Sequence, residues 1–215
     1  MPPKLVIFDC DGVLVDTETK TALVMSKDLG AHGLEIAPQE VHELFQGGTM
    51  FGAKAEAEKR GARLPDDWVE LINEQVKAAL ADGVTVFDGL FELLDLLDTS
   101  GIATAVASNG PMDKMAVSLG PSGLYQRFEG RIFSGRQSKP KPAPDMLLLA
   151  CAQAGVASNE AVMIDDTTAG TRAAEAAGMP AIGVSAASDA EKLRATGHPV
   201  AANFAQVTAL LGLIG

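Results

Sequence analysis

The chain has 215 residues, of which 47% are hydrophobic and 21% charged, and its formal net charge is −11 at pH 7. This composition excludes a disordered chain and leaves room for a sizeable core, either as one large domain or as a core with a smaller insert. The negative charge argues against a nucleic-acid-binding protein, which needs a clustered basic surface, and makes a divalent cation the more natural partner.

The N-terminal residues and the cysteines bear on the compartment. Met1 is followed almost directly by the first predicted strand, without the basic region and apolar core of a signal peptide, and no apolar run has the length of a membrane span. Cys10 and Cys151 stand far apart, and neither belongs to a CxxC pair. We therefore expect a cytoplasmic protein without a membrane partner. No pattern in the sequence indicates an oligomeric state.

The first predicted strand, Leu5 to Phe8, ends at two acids, Asp9 and Asp11. An unbroken apolar run of this length is typical of a strand that is covered on both faces, as in a parallel sheet. Because ligands of open α/β sheets bind beyond the carboxyl ends of the strands, both acids are candidates for chemistry. Asp11-Gly12 is also a β-hairpin signal, with Val13 to Val15 returning as a strand. The two interpretations can hold together, but a turn alone leaves Asp9 without a role.

A helical segment follows, with glycine and proline breaks and few β-branched runs. We expect four helices: one that contains Leu23 to Asp28, then Pro38 to Phe45, Met50 to Arg60 and Asp66 to Leu80. Asp66 or Asp67 is expected to cap the last of them. This all-helical cap domain, residues 17–83, is inserted directly after the first strand, so we expect it to act as a lid over the carboxyl end of that strand.

From residue 84 onward, strands and helices alternate. The expected strands are 102–107, 131–134, 161–164 and 181–184, and the expected helices are 88–99, 112–119, 144–154 and 169–177, the last with Gly178 as a left-handed C-cap. This alternation implies right-handed crossovers. We therefore predict an α/β fold, a three-layer Rossmann-like parallel sheet made by residues 1–16 and 84–215.

Polar residues end three of the predicted strands: Asp9, Ser108-Asn109 and Asp165-Asp166. In a parallel sheet these ends share one edge, so the side chains can meet in one crevice. Carboxylates at two strand ends are ligands that suit Mg²⁺, and the Ser108 hydroxyl and Asn109 amide suit a phosphate oxygen. Two alternatives stay open: Asp165-Asp166 could only cap the next helix, and Ser108-Asn109 could only form a turn.

A proline-rich loop, Lys139 to Asp145, precedes one of the predicted helices. Prolines restrict the backbone, so Lys141 between two of them would lose little further freedom on contacting an anion. The alternative is a solvated lysine in a rigid loop.

In this order, these pieces resemble the haloacid dehalogenase superfamily of phosphohydrolases over nearly the whole chain. The family's DxDG motif matches Asp9 to Gly12, its strand-ending hydroxyl matches Ser108, its KPxPD setting matches Lys141 to Asp145, and its acidic motif with a following AGxxAAxAAGM-like helix matches Asp165 to Met179. The helical insert is similar to the cap of the subgroup with β-phosphoglucomutase, phosphoglycolate phosphatase and sugar-phosphate phosphatases. The chain departs from the pattern twice: Val86-Phe87 stands where many relatives have a proline, and Gly48 where a basic residue is common.

The resemblance implies a mechanism and a set of site residues. Asp9 would be the nucleophile that forms an aspartyl-phosphate, and Asp11 the general acid and base. Mg²⁺ would be held by Asp9, the backbone carbonyl of Asp11 and Asp166, with Asp165 nearby. The remaining phosphoryl oxygens would be bound by Ser108, Asn109 and Lys141.

We expect the substrate to be a small phosphorylated metabolite, a sugar or sugar-acid phosphomonoester. Candidates for contacting it in the cap are Gln46, Gly47, Thr49 and Lys54. Three other functions are weighed. Dehalogenases lack the second acid of DxD and need no metal; a phosphosugar mutase would carry a cap histidine where this chain has Thr21; and a phospho-acceptor receiver domain would be shorter and have no helical insert.

Overall fold

The computed structural model describes residues 2–45, 50–185 and 190–213. The chain divides into two compact units, one made of Met1–Asp16 with Thr85–Gly215 and the other of Thr17–Val84. Within the described ranges, none of the helices combines the length and the apolar character that crossing a bilayer requires.

Six strands form a parallel sheet in the first unit, and two short strands pair antiparallel beside it in the same unit. The strands of the described residues are β1 (Leu5–Phe8), β2 (Val15–Asp16), β3 (Thr85–Val86), β4 (Ala103–Ser108), β5 (Ile132–Ser134), β6 (Ala161–Asp165), β7 (Ala181–Val184) and β8 (Val200–Ala201). The order in the large sheet is β5-β4-β1-β6-β7-β8, and β2 pairs with β3. The predicted parallel α/β sheet is confirmed.

The register of the sheet brings the ends of three strands to one level. Phe8 is paired with Val106 of β4 on one side and with Ile164 of β6 on the other. All four residues of β1 are buried, as expected for a strand covered on both faces. The residues that follow β1, β4 and β6 therefore stand side by side at the carboxyl edge.

Helices cover both faces of this sheet. In chain order, the α-helices of the described residues are α1 (Thr17–Ala31), α2 (Pro38–Phe45), α3 (Met50–Lys59), α4 (Trp68–Ala81), α5 (Leu90–Thr99), α6 (Met112–Leu119), α7 (Leu124–Arg127), α8 (Asp145–Ala154), α9 (Thr168–Ala176), α10 (Ala190–Arg194) and α11 (Phe204–Leu210). On one face, an apolar cluster joins α8 and α9 to the strands through Met146, Leu147, Ala173 and Ala174. The two alanines carry short side chains, which allows α9 to lie close to β6.

The Thr17–Val84 unit is a helical bundle with Trp68 as a buried anchor. Trp68 is 1% exposed, and its indole Nε1 donates a hydrogen bond to Asp28 Oδ2 at 2.6 Å. This bond joins α4 to α1 and satisfies a polar atom that burial would otherwise leave without a partner.

Two local predictions are wrong. Val13 to Val15 do not return along β1 as a hairpin, because the short strand β2 pairs with β3 instead, although Gly12 has the expected positive φ of 80°. Asp67 precedes α4, but its side chain makes no capping hydrogen bond, because its backbone (φ −89°, ψ 15°) is not extended as a capping residue requires.

Several short elements were not predicted: β3, β8, α7, α10 and α11. Each is too short for a hydrophobic period to be visible in the sequence. By contrast, Gly178 has φ +64° after α9, as predicted for a left-handed C-cap.

Candidate active site

Five polar side chains are buried together at the carboxyl edge of the sheet. Asp9 follows β1, Ser108 ends β4, Asp165 ends β6 with Asp166 next to it, and Lys141 comes from the loop before α8; each is at most 6% exposed. All belong to the Met1–Asp16 and Thr85–Gly215 unit. Burial of so many charged groups is costly unless they pair with one another or with an ion.

Lys141 joins the strand ends. Its Nζ donates hydrogen bonds to Asp9 Oδ1 at 2.6 Å, to Asp165 Oδ2 at 2.6 Å and to the carbonyl of Ala107 at 2.9 Å. Because an ammonium group has three protons, these bonds use all of them. Lys141 is therefore a buried structural cation and not the solvated lysine of the alternative interpretation.

The charges of this cluster depend on one another. Burial raises the pKa of Asp9 to about 7; the Lys141 ammonium opposes this shift, while Asp165 and Asp11 add to it. Burial by itself would lower the pKa of Lys141, but the attraction of Asp165 and Asp9 outweighs it, so this pKa lies above its ordinary value. One lysine leaves the acidic cluster short of positive charge, and a further cation would favour the carboxylate form of Asp9.

Three carboxylates form a candidate metal centre. Oxygens of Asp9, Asp165 and Asp166 lie within 4.8 Å of one another, and all three residues are buried. Hard carboxylate oxygens in this number, with places left for water and substrate, suit Mg²⁺. Asp165 already accepts bonds from Lys141 and, through Oδ1, from Thr167 N and Oγ1 at 2.8 and 2.6 Å. Asp9 and Asp166 are thus the better placed direct ligands.

The helix after this cluster is capped by Thr167 and not by the acids. Thr167 is the N-cap residue of α9, and its Oγ1 accepts a hydrogen bond from Gly170 N at 3.1 Å. The alternative that Asp165-Asp166 only cap the helix is therefore wrong. Asp165 supports the cap indirectly, since it holds the Thr167 hydroxyl.

Two glycines make room for the acidic side chains. At Gly12, which has φ +80°, a Cβ atom would lie 2.3 Å from Asp166 Oδ2. At Gly170, a Cβ atom would lie 1.8 Å from Asp165 Oδ2. Neither contact is possible, so both carboxylates occupy space that only glycine leaves open. Gly170 was not singled out in the sequence, although it lies within the AGxxAAxAAGM-like segment.

The side chain of Asn109 forms hydrogen bonds with the backbone of Lys141. Its Oδ1 accepts a hydrogen bond from Lys141 N at 2.7 Å, and its Nδ2 donates one to the Lys141 carbonyl at 3.0 Å. Gly135 permits this approach, because a Cβ there would be 3.1 Å from both Asn109 Cα and Asn109 Oδ1. The side-chain amide that was predicted to bind phosphate thus holds the lysine loop, which leaves the main chain of Asn109 for any phosphate contact.

Ser108 takes part in a turn and keeps a hydroxyl at the site. Its Oγ accepts a hydrogen bond from Gly110 N at 3.1 Å, while Ser134 Oγ donates to the Gly110 carbonyl at 2.6 Å. The turn interpretation of Ser108-Asn109 is therefore observed, and the turn keeps the Ser108 hydroxyl at the carboxyl edge, where phosphate binding stays a prediction.

Asp11 has a partner that the sequence did not indicate. Lys114, in the first turn of α6, donates a hydrogen bond from Nζ to Asp11 Oδ2 at 2.7 Å, although 103 residues separate the two. Burial works against a charge on Lys114, but the Asp11 carboxylate outweighs it and raises the lysine pKa. The only signal in the sequence is a lysine shortly after the Ser108 turn.

The cap candidates are only partly described. Lys54, in the Thr17–Val84 unit, donates from Nζ to the carbonyl of Asp66 at 2.9 Å. Gln46, Gly47 and Thr49 lie outside the described residues.

Known proteins resemble this chain in sequence and in structure. The profile of the haloacid dehalogenase-like hydrolases matches residues 3–178. Hexitol phosphatase A of Escherichia coli K12 is 31% identical over 87% of this chain and 85% of its own length, and 6-phosphogluconate phosphatase of the same organism is 28% identical over 81% and 79%. A haloacid dehalogenase family hydrolase from Deinococcus radiodurans R1, solved with bound phosphate and sodium, superimposes with a TM-score of 0.87 at 28% identity, covering 99% of this chain and 98% of that one.

Proposed function

The chain belongs to the haloacid dehalogenase-like hydrolases, and we propose that it is a Mg²⁺-dependent phosphatase that hydrolyses small phosphomonoesters through an aspartyl-phosphate on Asp9. The observation that carries this proposal is the buried cluster of Asp9, Asp165, Asp166 and Lys141 at one edge of the sheet. It combines a nucleophilic carboxylate with a fixed cation and with ligands for a second one.

The first step is transfer of the phosphoryl group to the protein. A carboxylate oxygen of Asp9 attacks phosphorus, the new bond from Asp9 to phosphorus forms, and the ester bond to the leaving oxygen breaks. Asp11 gives its proton to that oxygen, so an alcohol leaves and Asp11 becomes a carboxylate. Splitting one difficult displacement into two easier ones is the advantage of a covalent intermediate.

The second step restores the enzyme. Asp11 takes a proton from water, the resulting hydroxide attacks phosphorus, and the bond from phosphorus to Asp9 breaks. Inorganic phosphate leaves, Asp9 is again a carboxylate and Asp11 is again protonated. One residue thus serves as acid in the first step and as base in the second.

Charge at the site has to be compensated throughout. Asp9, Asp166 and the backbone carbonyl of Asp11 are the groups that would hold Mg²⁺, with Asp165 behind them. When bound, the ion would offset the repulsion between the Asp9 carboxylate and the phosphoryl oxygens. Lys141 and the Ser108 hydroxyl stabilise charge on the transferring group, and Asn109 keeps Lys141 in place.

We infer that the substrates are phosphates of sugars, sugar acids or sugar alcohols. Relatives named for hexitol, 6-phosphogluconate and N-acetylmuramic acid 6-phosphate support this class. The net charge of −11 adds a physical reason, because long polyanions would be repelled whereas one phosphate can be neutralised locally. The lid role of the inserted helices and the cytoplasmic location stay predictions.

A mutase is the second candidate. A putative β-phosphoglucomutase from Thermotoga maritima has a TM-score of 0.82, but at 22% identity this similarity shows the fold alone. At the position where those enzymes carry a cap histidine, this chain has Thr21, whose hydroxyl donates to the Thr17 carbonyl at 2.8 Å. A threonine does not supply a proton near neutral pH, which favours hydrolysis.

The test is a screen of phosphate release with Mg²⁺. Hexose, pentose and glycerol phosphates, phosphogluconate, phosphoglycolate, nucleotides and phosphopeptides are compared by kcat/KM. We expect the highest values among the sugar, sugar-acid and sugar-alcohol phosphates. A preference for phosphopeptides or nucleotides would contradict the substrate class, and interconversion of sugar phosphate isomers without phosphate release would favour the mutase.

A further inference from the structure

The ion pair between Lys114 and Asp11 connects the helix α6 to the end of β1. Lys114 Nζ lies 2.7 Å from Asp11 Oδ2, and the two side chains are 31% and 26% exposed. Among the described residues, Asp11 is the sole hydrogen-bond acceptor of this ammonium. Lys114 belongs to none of the motifs that indicate the family, so its contact with Asp11 needs its own explanation.

The surroundings of the pair make it part of the site. A Cβ atom at Gly110 would lie 3.4 Å from Ser108 Oγ, 3.8 Å from Asp11 Oδ2 and 4.0 Å from Lys114 Cδ. The hydroxyl, the carboxylate and the lysine stem therefore border the same small space beside the Ser108 turn. Met115 and Leu119 are buried, so the helix that carries Lys114 is firmly packed.

The side chain of Asp11 is more exposed than that of Asp9. Lys141 fixes Asp9 from within the buried cluster, whereas Asp11 stands beyond the strand, just before Gly12 with its positive φ, and is a quarter exposed. Packing by itself restrains a partly exposed side chain less than a buried one. Proton transfer to a leaving oxygen requires hydrogen-bond distance and alignment, and a displacement of 1 Å costs about 100-fold in rate.

We propose that Lys114 is a positioning residue for Asp11, and that by holding Oδ2 it keeps the Asp11 carboxyl group, which carries the proton in the first step, directed at the leaving oxygen of the substrate. This inference rests on the proposed function, because it assumes that Asp11 exchanges protons with the leaving group. It differs from two other roles for the same lysine: direct contact with the substrate, and an exposed ion pair that contributes little.

The test compares esters that differ in their need for protonation. The phenolate of p-nitrophenyl phosphate leaves without a proton, whereas the alkoxide of a sugar phosphate needs one. Formation of the aspartyl-phosphate is measured in a single turnover by acid quench with saturating enzyme. In Lys114→Met, we expect this step to slow by about 10- to 100-fold for the sugar phosphate and by less than about 3-fold for p-nitrophenyl phosphate. Lys114→Arg should restore most of the rate.

A second measurement asks whether the effect passes through Asp11. In an Asp11→Asn background, the added Lys114→Met change should leave the rate of phosphoenzyme formation unaltered, since the substituted amide has no proton to give to the leaving oxygen. Lys4→Met is the matched control. Lys4 lies just before β1, at the amino edge of the sheet, and is paired with Glu160 at 2.5 Å. Its loss should leave the rate of phosphoenzyme formation unchanged for both esters. Thermal unfolding of each variant verifies that it is folded.

The contradicting outcomes are distinct. Four results would each overturn the positioning role while the enzyme remains a phosphatase. Lys114→Met could slow phosphoenzyme formation equally for both esters, raise KM with an unchanged single-turnover rate, or have no effect. In the Asp11→Asn background, Lys114→Met could slow phosphoenzyme formation further. If the unmodified protein forms no phosphoenzyme and releases no phosphate from any ester, the proposed function fails, and this inference fails with it.

Discussion

At the scale of single residues, the carboxylates of the site differ in the lysine that they contact and in whether they belong to the candidate metal centre. Lys141 contacts Asp9 and Asp165, Lys114 contacts Asp11, and Asp166 stands with Asp9 in the candidate metal centre. Acids of the same chemical type thus have different neighbours, and we expect different roles from them.

The two acids at the end of β1 should respond differently to the same substitution. Asp9→Asn removes the nucleophile, so we expect neither turnover nor covalent phosphorylation. Asp11→Asn keeps the nucleophile but loses the general acid, which lowers turnover by about 100- to 10,000-fold while leaving phosphorylation by p-nitrophenyl phosphate detectable. Acid-quenched phosphoenzyme and steady-state phosphate release measure the two effects. Turnover by Asp9→Asn near the unmodified rate, in a preparation free of other phosphatases, would contradict the nucleophile assignment.

Asn109 should matter through Lys141. Asn109→Ala removes both hydrogen bonds to the Lys141 backbone and leaves a partly buried N–H and carbonyl without their partners, which costs about 1–3 kcal/mol of stability. We expect a lower melting temperature together with a fall in kcat of about 10- to 100-fold, because the ammonium is no longer held in place. The control is Asn159→Ala, at an exposed position away from this edge of the sheet. A normal kcat in a destabilised Asn109→Ala protein would separate the loop contact from catalysis.

At the scale of secondary-structure elements, the first turn of α9 lies against the Asp165 carboxylate. Its first turn is capped by Thr167, its third residue is Gly170, and Asp165 lies in the space that a side chain at Gly170 would need. Helix formation alone would favour alanine over glycine here. The glycine therefore serves the site at the expense of helix propensity.

This conflict is testable with two glycine-to-alanine changes. Gly170→Ala would displace Asp165 and with it Lys141, so we expect loss of activity and a lower melting temperature despite the gain in helix propensity. Gly30→Ala, in α1, is the matched control, because a Cβ there would meet only ordinary contacts at 3.6 to 3.7 Å from Glu35; we expect it to be neutral or to stabilise by up to about 1 kcal/mol. An active, fully stable Gly170→Ala protein would show that the Asp165 position is not needed.

At the scale of the whole molecule, an acidic chain concentrates buried negative charge in one place. The net charge is −11, and three buried carboxylates share the carboxyl edge with one buried lysine. A divalent cation that binds only the folded protein should therefore act on stability as well as on turnover.

Mg²⁺ binding should therefore change both the turnover and the free energy of unfolding. We expect EDTA to abolish turnover, and Mg²⁺ at 100 times its Kd to add about 2.7 kcal/mol to the free energy of unfolding. For a domain of this size, this is a rise in Tm of about 5–11 °C. Asp166→Asn should reduce both effects, whereas Asp67→Asn, which removes the same charge at an exposed position with no capping bond, should not. Full activity in excess EDTA would contradict the metal assignment.

Much of the molecule could be predicted because its signals are local. The buried run Leu5–Phe8 and the alternation of strands and helices predicted the parallel sheet, the four motifs in their order indicated the family by resemblance, and both are confirmed. These signals report burial and backbone geometry, which depend on a few neighbouring residues.

What only the tertiary structure decided is which side chain meets which. Lys114 reaches Asp11 from 103 residues away, Asn109 bonds to the backbone of Lys141, and Thr167 takes the capping role that was the alternative interpretation of the acids beside it. Such pairings depend on the register of strands and the placement of helices that are distant in the chain, and hydrophobic periodicity carries no information on either. The same residue types would have been compatible with several partners, and the sheet selected one by bringing the carboxyl ends of β1, β4 and β6 to a single level.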